Sequence, residues 1–455
     1  MQDGEGNSRV VVSKRSVVRE IGRYTNGKIE SVKDMSGKTF RSLRHRNYRL
    51  FFSGQLVSLC GTWMQNVAQS WLVWELSHSA LWLGIIGFMT FLPQLLFSLF
   101  GGTVADRFPK RGLIIVTQTV SMVLAFVLAA LVWTNVVTVW WVAALAFMLG
   151  TVNSFDMPAR QAFVVEMVGK EDMTNAIGLN SAIFNSARLI GPALGGIVIG
   201  LVGTAWCFFL NGVSFIAVII GLYAMQLPPS RIVHMGKSVW KSAKDGMIFI
   251  RREPTVRSIM VLVSAVTVFG WSYSVLLPLF ADEVLHVGAV GLGNLYSANG
   301  VGALLSALFV AAVGDKIKTR KMVFTGISIF LIGVTCFALS HWFWISMVSL
   351  TCIGMGLISF FATANSTLQK LSPDHLRGRV MGIYAVVFGG FYPFGSLEVG
   401  TFAKLIGASN IILLNAAACG LTALIVWRMM RKEGAVLLAP ASDEIVTQGN
   451  AIFGK

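Results

Sequence analysis

Two ionisable residues stand deepest in apolar surroundings: Arg188, midway along one apolar stretch, and Glu398, in the outer part of another. A lone charge in a stretch of membrane thickness costs about 3 kcal/mol even on lenient insertion scales, so each needs a partner, a water-filled cavity or a task. A guanidinium in that setting suits an anionic substrate group or a carboxylate that changes protonation. A carboxyl there can carry a proton, because burial favours its neutral form and a nearby cation its charged form. Asp156, at the inner end of another stretch, competes with Glu398 for that role. No His lies inside an apolar stretch to serve as the usual neutral-pH switch.

Uncharged polar residues accompany these groups at helical spacing. Thr62, Asn66 and Gln69 recur on one face with Gln65 beside them, and Asn180 shares a face with Arg188, with Asn185 nearby. Such stripes are expected to line a substrate cavity, the alternative for any one residue being a hydrogen bond between helices. Asn294, Asn299, Tyr273, Trp271, Tyr384 and Tyr392 extend the set of cavity candidates, although Trp and Tyr near the end of an apolar stretch more often anchor at the membrane surface. Around Arg188 run Gly178, Ala187, Gly191, Pro192, Gly195 and Gly196. Glycines on a helix face permit close backbone approach and Pro192 bends the helix, which suits a pivot and equally suits plain helix packing.

The elements that must position these residues are apolar stretches of roughly twenty residues. They are expected at 51–74, 81–104, 113–133, 137–157, 177–202 and 205–225, then at 258–281, 289–313, 322–340, 343–365, 380–403 and 408–428. Connections after the even stretches are basic, as in Arg107, Lys110 and Arg111, whereas those after the odd ones are short and carry Glu75, His78, Asp282, Glu283 and His286. Lys and Arg concentrate on the cytoplasmic side of membrane proteins, so both termini are expected in the cytoplasm. The reading is an all-α membrane protein of twelve transmembrane helices in two pseudo-symmetric six-helix bundles, spanning 47–227 and 258–431.

Composition agrees: 55% of residues are hydrophobic and 13% charged, against about 25% charged in soluble domains, and the mean hydropathy is +0.69. The net charge of +16 sits in short loops beside apolar stretches, which excludes nucleic acid as a partner and points to the lipid bilayer. The five cysteines fall in apolar runs without metal-ligand spacing. Residues 36–39 read Ser-Gly-Lys-Thr, but Val32 stands where a phosphate-binding loop needs its first Gly, so no nucleotide site is expected. With no metal cluster or nucleophile constellation either, an enzyme is not expected.

Residues 1–46 form a basic extension without the apolar core of a secretory signal, and its run Arg41, Arg44, Arg46 and Arg49 suits anionic headgroups. Residues 228–257 form a linker in which Val239, Ala243, Met247 and Ile250 alternate with Lys241, Lys244, Arg251 and Arg252, an amphipathic helix on the inner face. Residues 432–455 read as a disordered tail.

The halves echo each other. Asp106-Arg107-Phe108-Pro109-Lys110-Arg111 is matched by Asp315-Lys316-Ile317-Lys318-Thr319-Arg320, and Gly191 to Gly196 by Gly395 to Gly400. Repeated halves point to a transporter with its site between them near the bilayer midplane.

The segment Gly102-Thr103-Val104-Ala105-Asp106-Arg107-Phe108-Pro109-Lys110-Arg111 closely resembles the signature of the major facilitator superfamily, with Pro109 in place of its usual Gly. The resemblance implies a conformational latch of Gly102, Asp106, Arg107, Lys110, Arg111 and, in the second half, Asp315, in which the acid meets the start of the eleventh helix in the outward-facing state. A topogenic loop is the alternative. The glycine series on the fifth stretch resembles that superfamily's exporter motif, Ala187 replacing one Gly. Asn47-Tyr48-Arg49-Leu50-Phe51, Gly61-Thr62-Trp63-Met64-Gln65, Ser154-Phe155-Asp156-Met157-Pro158-Ala159-Arg160 and Arg377-Gly378-Arg379-Val380-Met381-Gly382 resemble the branch containing enterobactin exporters and macrolide-efflux proteins.

That resemblance implies a monomeric secondary active exporter in the bacterial cytoplasmic membrane. It would expel a small amphipathic drug or siderophore-like molecule by alternating access, with no cofactor and the proton gradient as energy source. Rival readings are a lipid or lysolipid transporter of the same fold and a non-transporting membrane sensor.

Overall fold

The computed structural model describes residues 41–169, 171–226, 239–314 and 317–432, without the side chains of residues 99, 103, 106, 239–243 and 432. The first half holds six helices: α1 (Arg46–Ser77), α2 (Ala80–Arg107), α3 (Lys110–Trp133), α4 (Val139–Val168), α5 (Met173–Val202) and α6 (Thr204–Tyr223). A surface helix, α7 (Val239–Arg252), follows. The second half comprises α8 (Pro254–Ala265) and its continuation to Val284, α9 (Gly288–Val313), α10 (Thr319–Leu339), α11 (Phe343–Leu371), α12 (Asp374–Gly390), α13 (Tyr392–Ile406) and α14 (Ala408–Lys432). Among the described residues 11 segments are long and apolar enough to cross a membrane. The twelfth crossing is α1, whose 32 residues suffice in length but carry the polar stripe of Gln55, Gln65, Asn66 and Gln69.

The internal repeat is visible in backbone detail. Gly203 (φ +91°) joins α5 to α6, and Gly407 (φ +91°) joins α13 to α14 at the matching place in the other half, each in a conformation that side chains rarely adopt. In the first bundle Gly150 of α4 meets the Thr90 carbonyl of α2; in the second, Gly354 of α11 meets the Asn299 carbonyl of α9. The outward faces are apolar: Val116, Leu201, Ile220, Ile332, Leu405 and Leu421 are all exposed, as lipid-facing residues are. Exposed Trp133, Trp140, Trp206, Trp342 and Trp344 ring the end opposite the basic loops.

Two crossings depart from regular helices, which apolar periodicity does not reveal. The seventh passes through a π turn (Val266–Gly270), a 3-10 turn (Trp271–Leu276) and a second π turn (Phe280–Val284). Pro278 lacks the N–H that would bond the Ser274 carbonyl, and Tyr296 of α9 donates its hydroxyl there instead, at 3.2 Å. The eleventh crossing breaks at Phe391, between Gly390 and Pro393.

The N-terminal extension ends in structure. Arg41 Nε and His45 Nε2 lie 2.7 and 2.8 Å from the Asp172 carboxylate, and Ser42 Oγ donates to the Asp172 carbonyl at 3.0 Å. Asp172→Ala should therefore lower the unfolding free energy by about 1 kcal/mol in detergent. An unchanged thermal unfolding temperature would show that this tether contributes nothing. The linker helix α7 rests on the second bundle, with Arg379 Nη1 donating to Asp245 Oδ2 at 2.6 Å. The seventh crossing starts at Pro254, so the linker ends a few residues earlier than residue 257. The tail from residue 433 and the extension before Arg41 lie outside the described residues.

Candidate functional site

The candidate site is the seam between the bundles. At the end opposite the basic loops the seam is sealed by two matching helix pairs, α5 on α9 and α2 on α13. A Cβ on Gly293 would sit 2.5 Å from the Pro192 carbonyl and 2.9 Å from Gly196 Cα. A Cβ on Gly400 would sit 2.7 Å from the Ala80 carbonyl and 2.8 Å from Gly84 Cα. Ser396 Oγ donates to the Gly84 carbonyl at 3.0 Å, and Trp74 Nε1 donates to Asp282 Oδ2 at 2.8 Å across the same seam. At the basic end the bundles part. A Cβ on Gly102, Gly178, Gly378 or Gly382 would meet nothing within 4 Å, and Phe100, Met157, Ile177 and Phe184 are exposed.

Arg188 stands where the sealed and open halves meet. Its Nη2 donates to Asn299 Oδ1 of the opposite bundle at 2.6 Å, and its guanidinium carbon lies 5.8 Å from the centre of the Trp63 ring. Asn299 Nδ2 donates in turn to Tyr273 Oη at 2.9 Å. Pro192 cannot donate to the Arg188 carbonyl, and Gly300 of α9 approaches that freed oxygen, its Cβ position 2.8 Å away. The carbonyl that Pro192 leaves free thus lies at the seam. On the second bundle Trp271 lies against Phe361, Phe388 and Tyr392, Tyr384 stacks on Phe388, and Phe91 of α2 reaches Tyr392 across the seam at 4.7 Å between ring centres. The arrangement can hold a molecule with an apolar body and a polar head.

Two expected cavity residues are tied within the first bundle, Gln65 and Asn180. Gln65 is buried and accepts a hydrogen bond from Asn211 Nδ2 of α6 at 2.7 Å, so it joins helices within the first bundle. Asn180 accepts from Tyr48 Oη at 3.1 Å, and Thr62 and Asn185 donate to their own helix backbones at Ser58 and Ser181. Asn66 is exposed and Gln69 and Asn294 are half-buried, with no hydrogen-bond partner among the described residues. Tyr273, Asn299 and Tyr392 do reach the seam network, through Asn299 Nδ2 to Tyr273 and through Tyr392 Oη beside Ser274 Oγ at 3.1 Å. Phe91, Tyr296 and the glycines 84, 293 and 300 were not singled out by sequence, whereas Trp63 and Gly400 entered only as members of a motif and of the internal repeat. The usable signal was small residues four apart, Ala80 with Gly84 and Gly293 with Ser297.

The carboxyl groups also part company. Asp156 is buried in the first bundle, where Arg160 Nε, Thr117 Oγ1 and, at 3.2 Å, Gln118 Nε2 donate to it, while Arg160 Nη1 donates to Gln55 Oε1. Glu398 is not brought to the seam with Arg188. It lies across α13 from Ser396 and accepts from Asn415 Nδ2 of α14 at 3.0 Å, and that amide reaches Ser272 Oγ at 3.4 Å.

A family model described as transmembrane secretion effector matches residues 37–445. The chain belongs to that family, a branch of the major facilitator superfamily. It is 24% identical over 361 residues to the staphyloferrin A transporter of Staphylococcus aureus, covering 79% of this chain and 90% of that protein. It is 25% identical to the multidrug efflux pump Tap of Mycolicibacterium fortuitum, covering 79% and 89%, and 21% identical to macrolide efflux protein A of Streptococcus pyogenes, covering 82% and 94%. A bacterial homologue of the human lysosomal transporter Spinster, inward-facing and unoccupied, shares the fold with a TM-score of 0.70 at 11% identity, covering 85% of this chain and 97% of that one. The nucleoside transporter NupG aligns with a TM-score of 0.65 at 12% identity, covering 84% and 99%.

In this member of the family the cations of the α2–α3 loop stay on their own bundle. Lys110 Nζ pairs with Glu166 at 2.7 Å, Arg111 Nη2 donates to the Tyr223 carbonyl at 3.1 Å, and Arg107 is exposed. Gly102 faces open space. The Asp106 side chain and Asp315 lie outside the described residues. In the fifth-helix series, Gly191 and Gly195 pack on α1 at Trp63 and Met64, Pro192 and Gly196 pack on α9, Ala187 is buried, and Gly178 is exposed at the open end.

Proposed function

We propose that this chain is a secondary active exporter that carries a small amphipathic molecule out across a bacterial cytoplasmic membrane by alternating access, in antiport with protons. The basic end and both termini are taken as cytoplasmic, from the charge of the loops. On that orientation the described state is inward-open, sealed on the outside by glycine-packed helix pairs. The observation that carries the reading is this asymmetric seam, with a fixed cation and an aromatic wall at its midpoint. Two relatives named for efflux support the direction of transport.

Of the two carboxyl groups, Glu398 is the better proton carrier. Asp156 is already engaged by the Arg160 guanidinium and by two further donors, Thr117 and Gln118. Glu398 has one amide donor and no cation within ion-pair distance among the described residues. Glu398→Gln should therefore abolish proton-driven accumulation, at least tenfold, while leaving downhill exchange of cargo intact. Vesicles reconstituted with the full chain test the reading directly: cargo should drive proton movement in the opposite direction. Transport that survives collapse of the proton gradient removes the coupling, and accumulation by the Glu398→Gln variant equal to that of the parent removes the assignment of Glu398.

A further inference from the structure

The export reading leaves the cargo's chemistry open. Resting on that reading, we infer that the cargo carries a carboxylate or similar anionic group that pairs with Arg188 and, in doing so, takes the place of Asn299.

Arg188 is a cation inside the protein whose described contacts are all neutral: the Asn299 amide, the Trp63 ring and, one bond further, the Tyr273 hydroxyl. No carboxylate lies within ion-pair distance of it among the described residues. Asp156 is engaged by Arg160, and Glu398 lies on the far side of α13 with Asn415. The guanidinium has five N–H donors, and among the described residues a single hydrogen bond, to Asn299, uses them. A charge so placed is uncompensated, and its attraction for an anion is much larger between the bundles than in water.

The geometry also says what the anion displaces. A carboxylate accepts two charge-assisted hydrogen bonds from a guanidinium, against one from the neutral Asn299 oxygen, so it wins that contact. Asn299 belongs to the opposite bundle, and Gly300 beside it packs on the Arg188 carbonyl at the margin of the sealed region. Exchanging the amide for the anion removes a polar tie between the bundles where sealing begins. Cargo binding and release of the outer seal then share one atom group. Trp63 and Phe184, edge to face at 5.8 Å, and the wall formed by Trp271 and Phe388 would take the apolar body.

The test is equilibrium binding to the purified full chain of three probes with one aromatic body: radiolabelled 1-naphthaleneacetate, its primary amide, and 1-naphthalenemethylammonium. The carboxylate should bind at least tenfold tighter than the other two. Arg188→Gln should erase that preference and Arg188→Lys restore part of it. Asn299→Asp, which keeps Arg188 and supplies an internal carboxylate, should weaken carboxylate binding tenfold or more. This variant keeps the test alive if Arg188→Gln fails to fold. Absence of carboxylate binding, equal binding of amide or ammonium, or a preference untouched by both Arg188→Gln and Asn299→Asp would overturn the anion site. The two readings fail separately. Transport of the ammonium or amide without dependence on Arg188 would keep export and sink the anion site; Arg188-dependent carboxylate binding with no movement across vesicles would do the reverse.

Discussion

Gly293→Val is expected to cut transport at least tenfold while the protein still inserts and folds. The Cβ alone would stand 2.5 Å from the Pro192 carbonyl and 2.9 Å from Gly196 Cα, both backbone atoms that no rotamer change can move. Overpacking of this kind costs about 1–3 kcal/mol, and it falls only on the state in which α5 and α9 touch. A two-state equilibrium charged about 1.4 kcal/mol on one side shifts tenfold, so the outer seal opens and the cycle stalls. Gly84→Val, against Ser396 and Gly400 on the matching pair, should act the same way. Spin labels on Ser77 and His286, which flank the sealed end, would read the change as a longer distance. Full transport with an unchanged distance would show that the glycine contacts are not the seal.

The second large effect concerns stability. Arg160→Ala should destabilise the protein by about 3–5 kcal/mol, because Asp156 is only 5% exposed and would lose the cation it is buried against. Asp156→Asn should cost clearly less, since Arg160 retains Gln55 and is itself 21% exposed. Replacing both, Asp156→Asn with Arg160→Gln, should recover more than half of the loss from Arg160→Ala. Unfolding followed by heating in detergent gives the order. An Arg160→Ala variant as stable as the parent would mean that Asp156 does not depend on the pair.

These two cases show how unevenly the site could be read in advance. Arg188 announced itself because a charge in an apolar run of membrane length is expensive wherever the run folds. Asn299 and Tyr273 were also visible as polar residues in such runs, but nothing in their spacing joined them to Arg188, more than a hundred positions away for Asn299. Gln65 shows the reverse. Its place in a polar stripe suggested the cavity, yet the packing of α1 on α6 turns it to Asn211. Gly84 and Gly293 stand in small-residue pairs four apart, a signal of close packing, but a glycine carries no label for the helix it will touch.

What the amino-acid sequence determined by itself was the solvent, the crossings, the twofold repeat and the presence of interior charge. Those follow from local hydropathy, loop charge and motif spacing, which need no partner to be meaningful. The tertiary structure alone decided which faces meet: glycine on glycine at one end, open space at the other, Arg188 on a neutral amide, and Glu398 turned to α14 instead of the seam. Two bundles of similar helices offer many apolar faces of nearly equal hydrophobicity. Only close steric fit across the seam selects among them.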